Sequence, residues 1–229
     1  MHIVLSLGGS LVNTENGIDT AYIEKIKSIV LASEHSFGIV VGGGFAARKK
    51  ANKLRTKGKS EFECDEAAIK ITWKNAQAVA DVFDNAAYPK ALRDFKKARK
   101  EAQNKKVVVM GGTIPGITTD TDSVLLAEAL NAKRLVNISN TDAIYDSNPK
   151  ENPAAKKFNQ LDYDQLIDLA VKNDKRTAGT NFIFDLLACK LLARSKIEAH
   201  FVSGKNLEDL ENAINGRAHN GTVVGDFER

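Results

Sequence analysis

Residues 107–122, VVVMGGTIPGITTDTD, bring an apolar run, a glycine pair, four threonine hydroxyls and two carboxylates within sixteen positions. That mixture suits an anion site. Gly111 and Gly112 carry no side chain, so backbone N–H groups there can come close to a ligand. Thr113, Thr118, Thr119 and Thr121 add hydroxyl donors, and Pro115-Gly116 forces a turn. Asp120 or Thr121 can cap a helix running through Val124 towards Leu130, whose N-terminus carries partial positive charge. A phosphate would be held here without a P-loop lysine. One such loop is an ordinary set of turn residues, but Gly8-Gly9-Ser10 and Gly42-Gly43-Gly44 also follow apolar runs. In a parallel sheet the carboxyl ends of the strands share one edge, where ligands bind in open α/β folds. Three glycine turns on that edge imply a polyphosphate, or two phosphorylated ligands meeting.

The charged residues of interest are Arg48, Asp65, Asp120, Asp142 and Lys190. Arg48 stands one helical turn past the second glycine run and can turn back onto a phosphate. Asp120 and Asp122 read as helix caps, or as carboxylates beside a phosphate loop that can hold magnesium or a ribose hydroxyl. Lys190 interrupts an apolar helix, where the plain reading is a stem snorkelling to the surface. No Ser/His/Asp or Cys/His arrangement is evident, so covalent catalysis is not expected.

These residues need elements to hold them. Residues 107–110 form a short apolar run that fits a strand covered on both faces. Residues 2–7, 37–41, 135–138 and 199–202 read the same way. Between them the spacing predicts a helix capped by Asp19 or Thr20, carrying Ile23, Ile26 and Val30, and a basic helix at 45–56. The longest helix is expected at 65–85. Its two apolar stripes ask for a second surface besides the sheet, either within the chain or on another subunit. Further helices are expected at 93–106, 120–130, about 163–172, 184–195 and 207–215, with a small-residue turn at 177–181. Residues 87–91 read as a short strand, and Asn220-Gly221 as a hairpin turn into a last strand at 222–224. Strands alternating with helices argue for an α/β fold with a mostly parallel sheet and helices on both faces. Any division falls near 131–135, between two lobes of one domain.

The 229-residue chain is 43% hydrophobic and 27% charged, ordinary values for a globular protein, and its length can bury a real core. No apolar run approaches the roughly 18 residues of a membrane span, and the start shows no signal peptide, so a cytoplasmic location is expected. Cys64 and Cys189 lie too far apart in sequence to indicate a disulfide framework or a zinc site. A net charge of +4 is too weak to argue for nucleic acid. Two other nucleotide motifs compete with the phosphate-site reading; the dinucleotide one stays open as an alternative and the P-loop is rejected. Residues 42–47 fit G-x-G-x-x-A with Glu61 or Glu63 near a ribose-binding position, but a lysine-rich segment stands where a second apolar strand is needed. Gly58-Lys59-Ser60 resembles the end of a Walker A loop, yet Lys53 fills the required glycine position.

Together the segments GGS at 8–10, VVGGGFAAR at 40–48, GGTIPGITTD at 111–120, SNTDAIYDSNP at 139–149 and HNGT at 219–222 resemble the amino-acid kinase superfamily, and within it the archaeal type of UMP kinase. The likeness runs over nearly the whole chain. It implies a three-layer αβα sandwich, one domain over 1–229, with an acceptor-binding lobe at about 1–132 and an ATP-binding lobe at about 133–229. It also implies a homohexamer that uses magnesium and ATP to phosphorylate UMP. Gly43, Asp65, Thr113, Ile114, Pro115, Gly116, Ile117, Thr118 and Thr119 match the UMP site, and Gly9, Ser10, Gly44, Arg48, Ser139, Tyr145 and Asn148 the ATP site. Lys190, Arg48 and Asp142 are the implied catalytic residues. The chain departs from the pattern at Ser6, where the archaeal enzymes usually have aspartate. It also carries Trp73 for an arginine, Ile114 and Ile117 for two histidines, Ala143 for a glycine and Asn148 for an aspartate. Those near the acceptor leave open a sibling kinase acting on isopentenyl phosphate, carbamate or an amino acid, or a nucleotide-binding protein without turnover.

Overall fold

The structure, a computed structural model, describes residues 1–149, 151–173 and 184–227. Its elements run β1 (His2–Leu7), α1 (Gly9–Val12), β2 (Asn13–Thr14), β3 (Gly17–Ile18), α2 (Thr20–Ala32), β4 (Ser36–Val41), α3 (Gly44–Arg55) and α4 (Glu61–Phe83). There follow a 3-10 turn (Asp84–Ala86), α5 (Phe95–Glu101), β5 (Val107–Met110), α6 (Thr119–Ala129), β6 (Arg134–Ser139), β7 (Ile144–Tyr145), β8 (Lys157–Phe158) and β9 (Gln160–Leu161). The chain continues with α7 (Tyr163–Asn173), α8 (Leu186–Ser195), β10 (Glu198–Ser203), α9 (Leu207–Ile214) and β11 (Thr222–Val224).

Seven strands form one sheet in the order β5-β4-β1-β6-β10-β11-β9. The first five are parallel, β11 is antiparallel to β10, and β9 is parallel to β11. Successive side chains of a strand point to opposite faces, and this divides the core in two. Val4, Val40, Val108 and Met110 pack with residues of α6, α7 and α8 such as Leu126, Leu166 and Leu192. Ile3, Leu5, Ile39 and Val109 pack with Ile23 and Ile26 of α2, Val79 of α4 and Leu210 of α9. The result is the expected αβα sandwich. Gly38 lets α6 lie close on β4, since a Cβ there would stand 2.8 Å from Leu126 and Leu130 side-chain atoms.

Several elements differ from expectation. Residues 87–91 make no strand; Ala87 and Leu92 form isolated bridges to Val107 and Met110, and Pro89 between them has no N–H to give a ladder. The helix expected at 93–106 is confined to α5, capped by Asp94 and ended by a turn. Helix α4 starts earlier than its apolar stripes, because Ser60 and Glu63 form a reciprocal capping box. Helix α4 packs against α2 and α3 as well as the sheet, while Ile71, Ala78 and Val82 of its second stripe stay half-buried. Asn220-Gly221 is no hairpin turn: α9 lies between β10 and β11, and Asn220 instead donates to the Asp209 carboxylate, from its backbone N–H at 3.0 Å and from its amide. The small-residue turn expected at 177–181 lies outside the described residues.

Under α9, one row of polar groups pins β11 to β10. Glu198 accepts from Arg134 Nε at 2.9 Å, His200 Nε2 stands 2.8 Å from the same carboxylate oxygen, and His200 Nδ1 stands 2.8 Å from His219 Nε2.

Candidate active site

The ends of β1, β4 and β5 are neighbours on one sheet edge, and the turns leaving them open into one cleft of about 740 Å³. Gly8, Gly9, Gly42, Gly43, Gly44 and Gly112 all line it. The first two turns interlock. A Cβ on Gly9 would stand 2.3 Å from Gly42 C and O and Gly44 N, and one on Gly44 would meet Gly9 O at 2.2 Å. Gly44 also needs φ of +65°, which glycine adopts without strain. Helix α4 fixes the second turn from behind. Buried Asn75 donates its amide to Gly42 O at 2.9 Å and Gly43 O at 3.2 Å, and accepts from Asn13 Nδ2 at 2.8 Å.

Helices α1 and α3 begin at Gly8 and Gly43 with no side-chain cap; Leu11 N–H donates back to Gly8 O at 2.9 Å, and the earlier amides of the two first turns have no side-chain acceptor. Arg48, exposed on α3, is the single cationic side chain lining the cleft among the described residues. Across the cleft stand Ser139, Asn140, Thr141 and Asn148. There Asn140 Nδ2 donates to Ser10 Oγ at 3.0 Å, tying the first glycine turn to the loop after β6.

The third turn is built differently. Thr72 Oγ1 accepts from Gly112 N at 2.7 Å, and Trp73 Nε1 donates to Gly112 O at 2.7 Å. Thr113 gives both its N–H, at 3.1 Å, and its hydroxyl, at 2.6 Å, to the buried carboxylate of Asp122. The third turn thus differs from the first two, because its Gly112 N–H is taken by the Thr72 hydroxyl and both Thr113 donors by the Asp122 carboxylate.

Three carboxylates, Asp120, Asp122 and Asp185, gather at the start of α6, and Asp120 also lines the cleft. Alternation along β1 points Ser6 to this face, where its Oγ donates to Asp120 Oδ1 at 3.1 Å. Asp185, the N-cap of α8, accepts from Ala188 N at 3.0 Å, Thr118 Oγ1 at 2.5 Å and Thr121 Oγ1 at 3.0 Å. Burial, then the nearby Asp185 charge, pushes the Asp120 carboxyl up to about 7, against the Ser6 hydrogen bond. Burial likewise pushes Asp122 up to about 6, against the bonds from Thr113.

The amino acid kinase family profile matches residues 1–203. The chain belongs to this family. It is 39% identical over 225 residues to a protein named uridylate kinase from Thermococcus onnurineus, covering 98% of this chain and 99% of that one. It is 38% identical over 224 residues to one of the same name from Archaeoglobus fulgidus, covering 98% and 100%. The crystal structure of uridylate kinase from Archaeoglobus fulgidus matches with a TM-score of 0.85 at 36% identity, over 98% of this chain and 100% of that one. UMP kinase from Bacillus anthracis, 19% identical, shares the fold at a TM-score of 0.81 over 99% and 96% of the two chains.

In this amino acid kinase the structure brings together Gly9, Ser10, Gly43, Gly44, Arg48, Asp65, Ile117, Thr118, Thr119, Ser139 and Asn148 around the cleft. Thr113, Ile114, Pro115 and Gly116 lead up to its wall without lining it, with Gly116 N donating to Asp65 Oδ2 at 2.9 Å. Three further residues stand off the lining. Tyr145 donates to Asp142 at 3.0 Å, Asp142 is exposed and also lies 3.5 Å from Lys157 Nζ, and Lys190 is exposed on α8 beside buried Cys189. Asn75, Thr72 and Asp185 escaped the sequence reading. Only Asp185 left a trace there, as an Asp just before an apolar helix.

Proposed function

We infer that this chain transfers the γ-phosphoryl group of ATP to UMP, giving UDP and ADP, a step towards pyrimidine nucleoside triphosphates. The observation that carries this reading is the pair of interlocked glycine turns with two uncapped helix N-termini and Arg48, open to one cleft in a chain homologous to uridylate kinases over its length. Phosphoryl transfer asks for alignment and charge neutralisation rather than a covalent partner. Gly9, Ser10, Gly44, Ser139 and Asn148 are assigned to the donor, and Gly43, Asp65, Thr118 and Thr119 to the acceptor. Arg48 supplies positive charge where the two phosphate groups meet. A phosphate monoester is already largely dianionic at neutral pH, its second pKa being about 6, so the acceptor oxygen attacks without a general base. Lys190 and Asp142 are assigned catalytic roles on the family resemblance alone, since both stand off the cleft lining.

Among the described residues no group of three or more His, Cys, Asp or Glu side chains could hold a metal. Magnesium is taken to arrive on the nucleotide, held mainly by phosphate oxygens and water, as this ion prefers. The lobes at about 1–132 and 133–229 correspond to acceptor and donor. The exposed Phe62 and Ile114 support a subunit interface on the α4 side of a homohexamer. No described helix is long and apolar enough to cross a membrane, and the reading places the enzyme in the cytoplasm.

Coupled ADP release with UMP, CMP, AMP, isopentenyl phosphate and carbamate tests the acceptor. UMP is expected to give the highest kcat/KM. A higher value with any other acceptor, or ATP binding without turnover of any, overturns it.

A further inference from the structure

The loop from Thr113 to Thr118 hangs on three carboxylates from three helices. Asp122 of α6 takes both donors of Thr113, Asp65 of α4 takes the Gly116 N–H, and Asp185 at the start of α8 takes the Thr118 hydroxyl. Asp122 is distinct among them: it is 1% exposed, and it closes the end of the loop where the chain leaves β5. The same turn is held on its other side by Thr72 and Trp73, so Gly112 and Thr113 have little freedom except through Asp122.

We propose that Asp122 is a positioning residue for the acceptor, an internal anion whose grip on Thr113 sets where Ile117, Thr118 and Thr119 meet the substrate's phosphate. This rests on UMP being the acceptor. Ile117, Thr118 and Thr119 line the cleft while Thr113 does not, so Asp122 acts through the loop and not by contact. Loss of one hydrogen-bonded end lets the loop shift, and a displacement of about 1 Å in a substrate-holding segment is enough to cost about a hundredfold in rate. The charged groups near Asp122 are themselves carboxylates, Asp185 from α8 and Asp120 from its own helix; α4 meets the turn with Ile69, Thr72 and Trp73, and no cation offsets them among the described residues. Burial with Asp185 nearby moves the carboxyl to about 6, so its grip is set by proton concentration within a range where enzymes are assayed.

The variant Asp122→Asn keeps size but can accept only one of the two Thr113 donors. At pH 8 it is expected to raise the KM for UMP roughly tenfold, with the KM for ATP within about twofold. In the wild type the KM for UMP is expected to rise further below pH 6 than in Asp122→Asn. The second ionisation of the substrate phosphate is common to both proteins and cancels in their ratio. A readout free of substrate is the amide resonance of Thr113 in threonine-labelled wild-type protein without nucleotide, expected to titrate with a midpoint near 6. A Thr113 amide indifferent to pH between 5 and 8, or a variant whose UMP and ATP constants stay unchanged or rise together, overturns the proposal. If wild-type protein does not phosphorylate UMP, the acceptor reading fails while the amide titration still decides whether Asp122 governs the loop.

Discussion

Replacing Gly9 by alanine tests the site at its tightest point. The new Cβ would stand 2.3 Å from Gly42 C, Gly42 O and Gly44 N, all backbone atoms of the neighbouring turn. Comfortable contact for carbon is about 3.5 Å, so the two turns must separate by about 1 Å. Overpacking of this kind costs about 1–3 kcal/mol, and the absence of a flexible side chain to yield puts this case near 3. At about 2–4 °C per kcal/mol for a chain of this size, Tm should fall by about 6–12 °C. The same movement displaces the amides at the starts of α1 and α3, so kcat/KM for ATP should drop about a hundredfold. Gly225→Ala serves as control, since its Cβ would meet only Phe227 ring atoms at ordinary distances from 3.6 Å, and should change stability by less than about 0.5 kcal/mol. Thermal melts and steady-state kinetics with ATP varied give both numbers. A Gly9→Ala protein that melts with the wild type and keeps its ATP kcat/KM would refute the interlocked-turn argument.

Arg48→Ala removes the single lining cation among the described residues and should lower kcat/KM for ATP by about tenfold or more, an effect absent if the guanidinium faces only solvent. Asp185→Ala uncaps α8 and frees Thr118 and Thr121; a loss of about 2 kcal/mol is expected in urea unfolding, and a midpoint unchanged from wild type would show that these bonds carry nothing. Asp120 binds its proton more tightly folded than unfolded, since its carboxyl moves from 3.8 to about 7, so its contribution to stability is full below pH 4 and is lost as pH rises towards 7. Asp120→Asn should therefore flatten the fall in Tm across that window, and parallel Tm curves for the two proteins would contradict the assignment.

Local features were readable before the fold was known. An all-apolar run such as 107–110 has few alternatives to a buried strand, and Asp19 caps α2 through the Tyr22 N–H as its position implies. The convergence of the glycine turns followed from strand parallelism alone. The early start of α4 was also written in the chain, as Ser-x-x-Glu at 60–63, but an apolar stripe begins only where burial begins and so points several residues later. What stayed hidden depends on tertiary approach. Asp185 meets Thr118 and Thr121 across 67 and 64 residues, and Asn75 meets Gly42 across 33. Thr113 could be recognised as a donor, but sequence cannot say that the acceptor would be the chain's own Asp122 rather than a ligand.

The row of polar groups under α9 settles a matter of proton order. Gly221 N–H donates to His219 Nδ1 at 3.0 Å, which leaves Nε2 of that neutral ring to carry the hydrogen towards His200 Nδ1, and His200 Nε2 then donates to Glu198. Each ring thus has one admissible tautomer, handed down from a backbone amide. Burial holds His219 below its ordinary 6.5, against the pull of Asp209, and so the arrangement weakens as acid drives a proton onto it. The histidine of the HNGT segment therefore reads as a fastener for the last strand, and mild acid should loosen the carboxyl-terminal edge of the sheet by disturbing a bookkeeping of hydrogens while leaving the apolar layers intact.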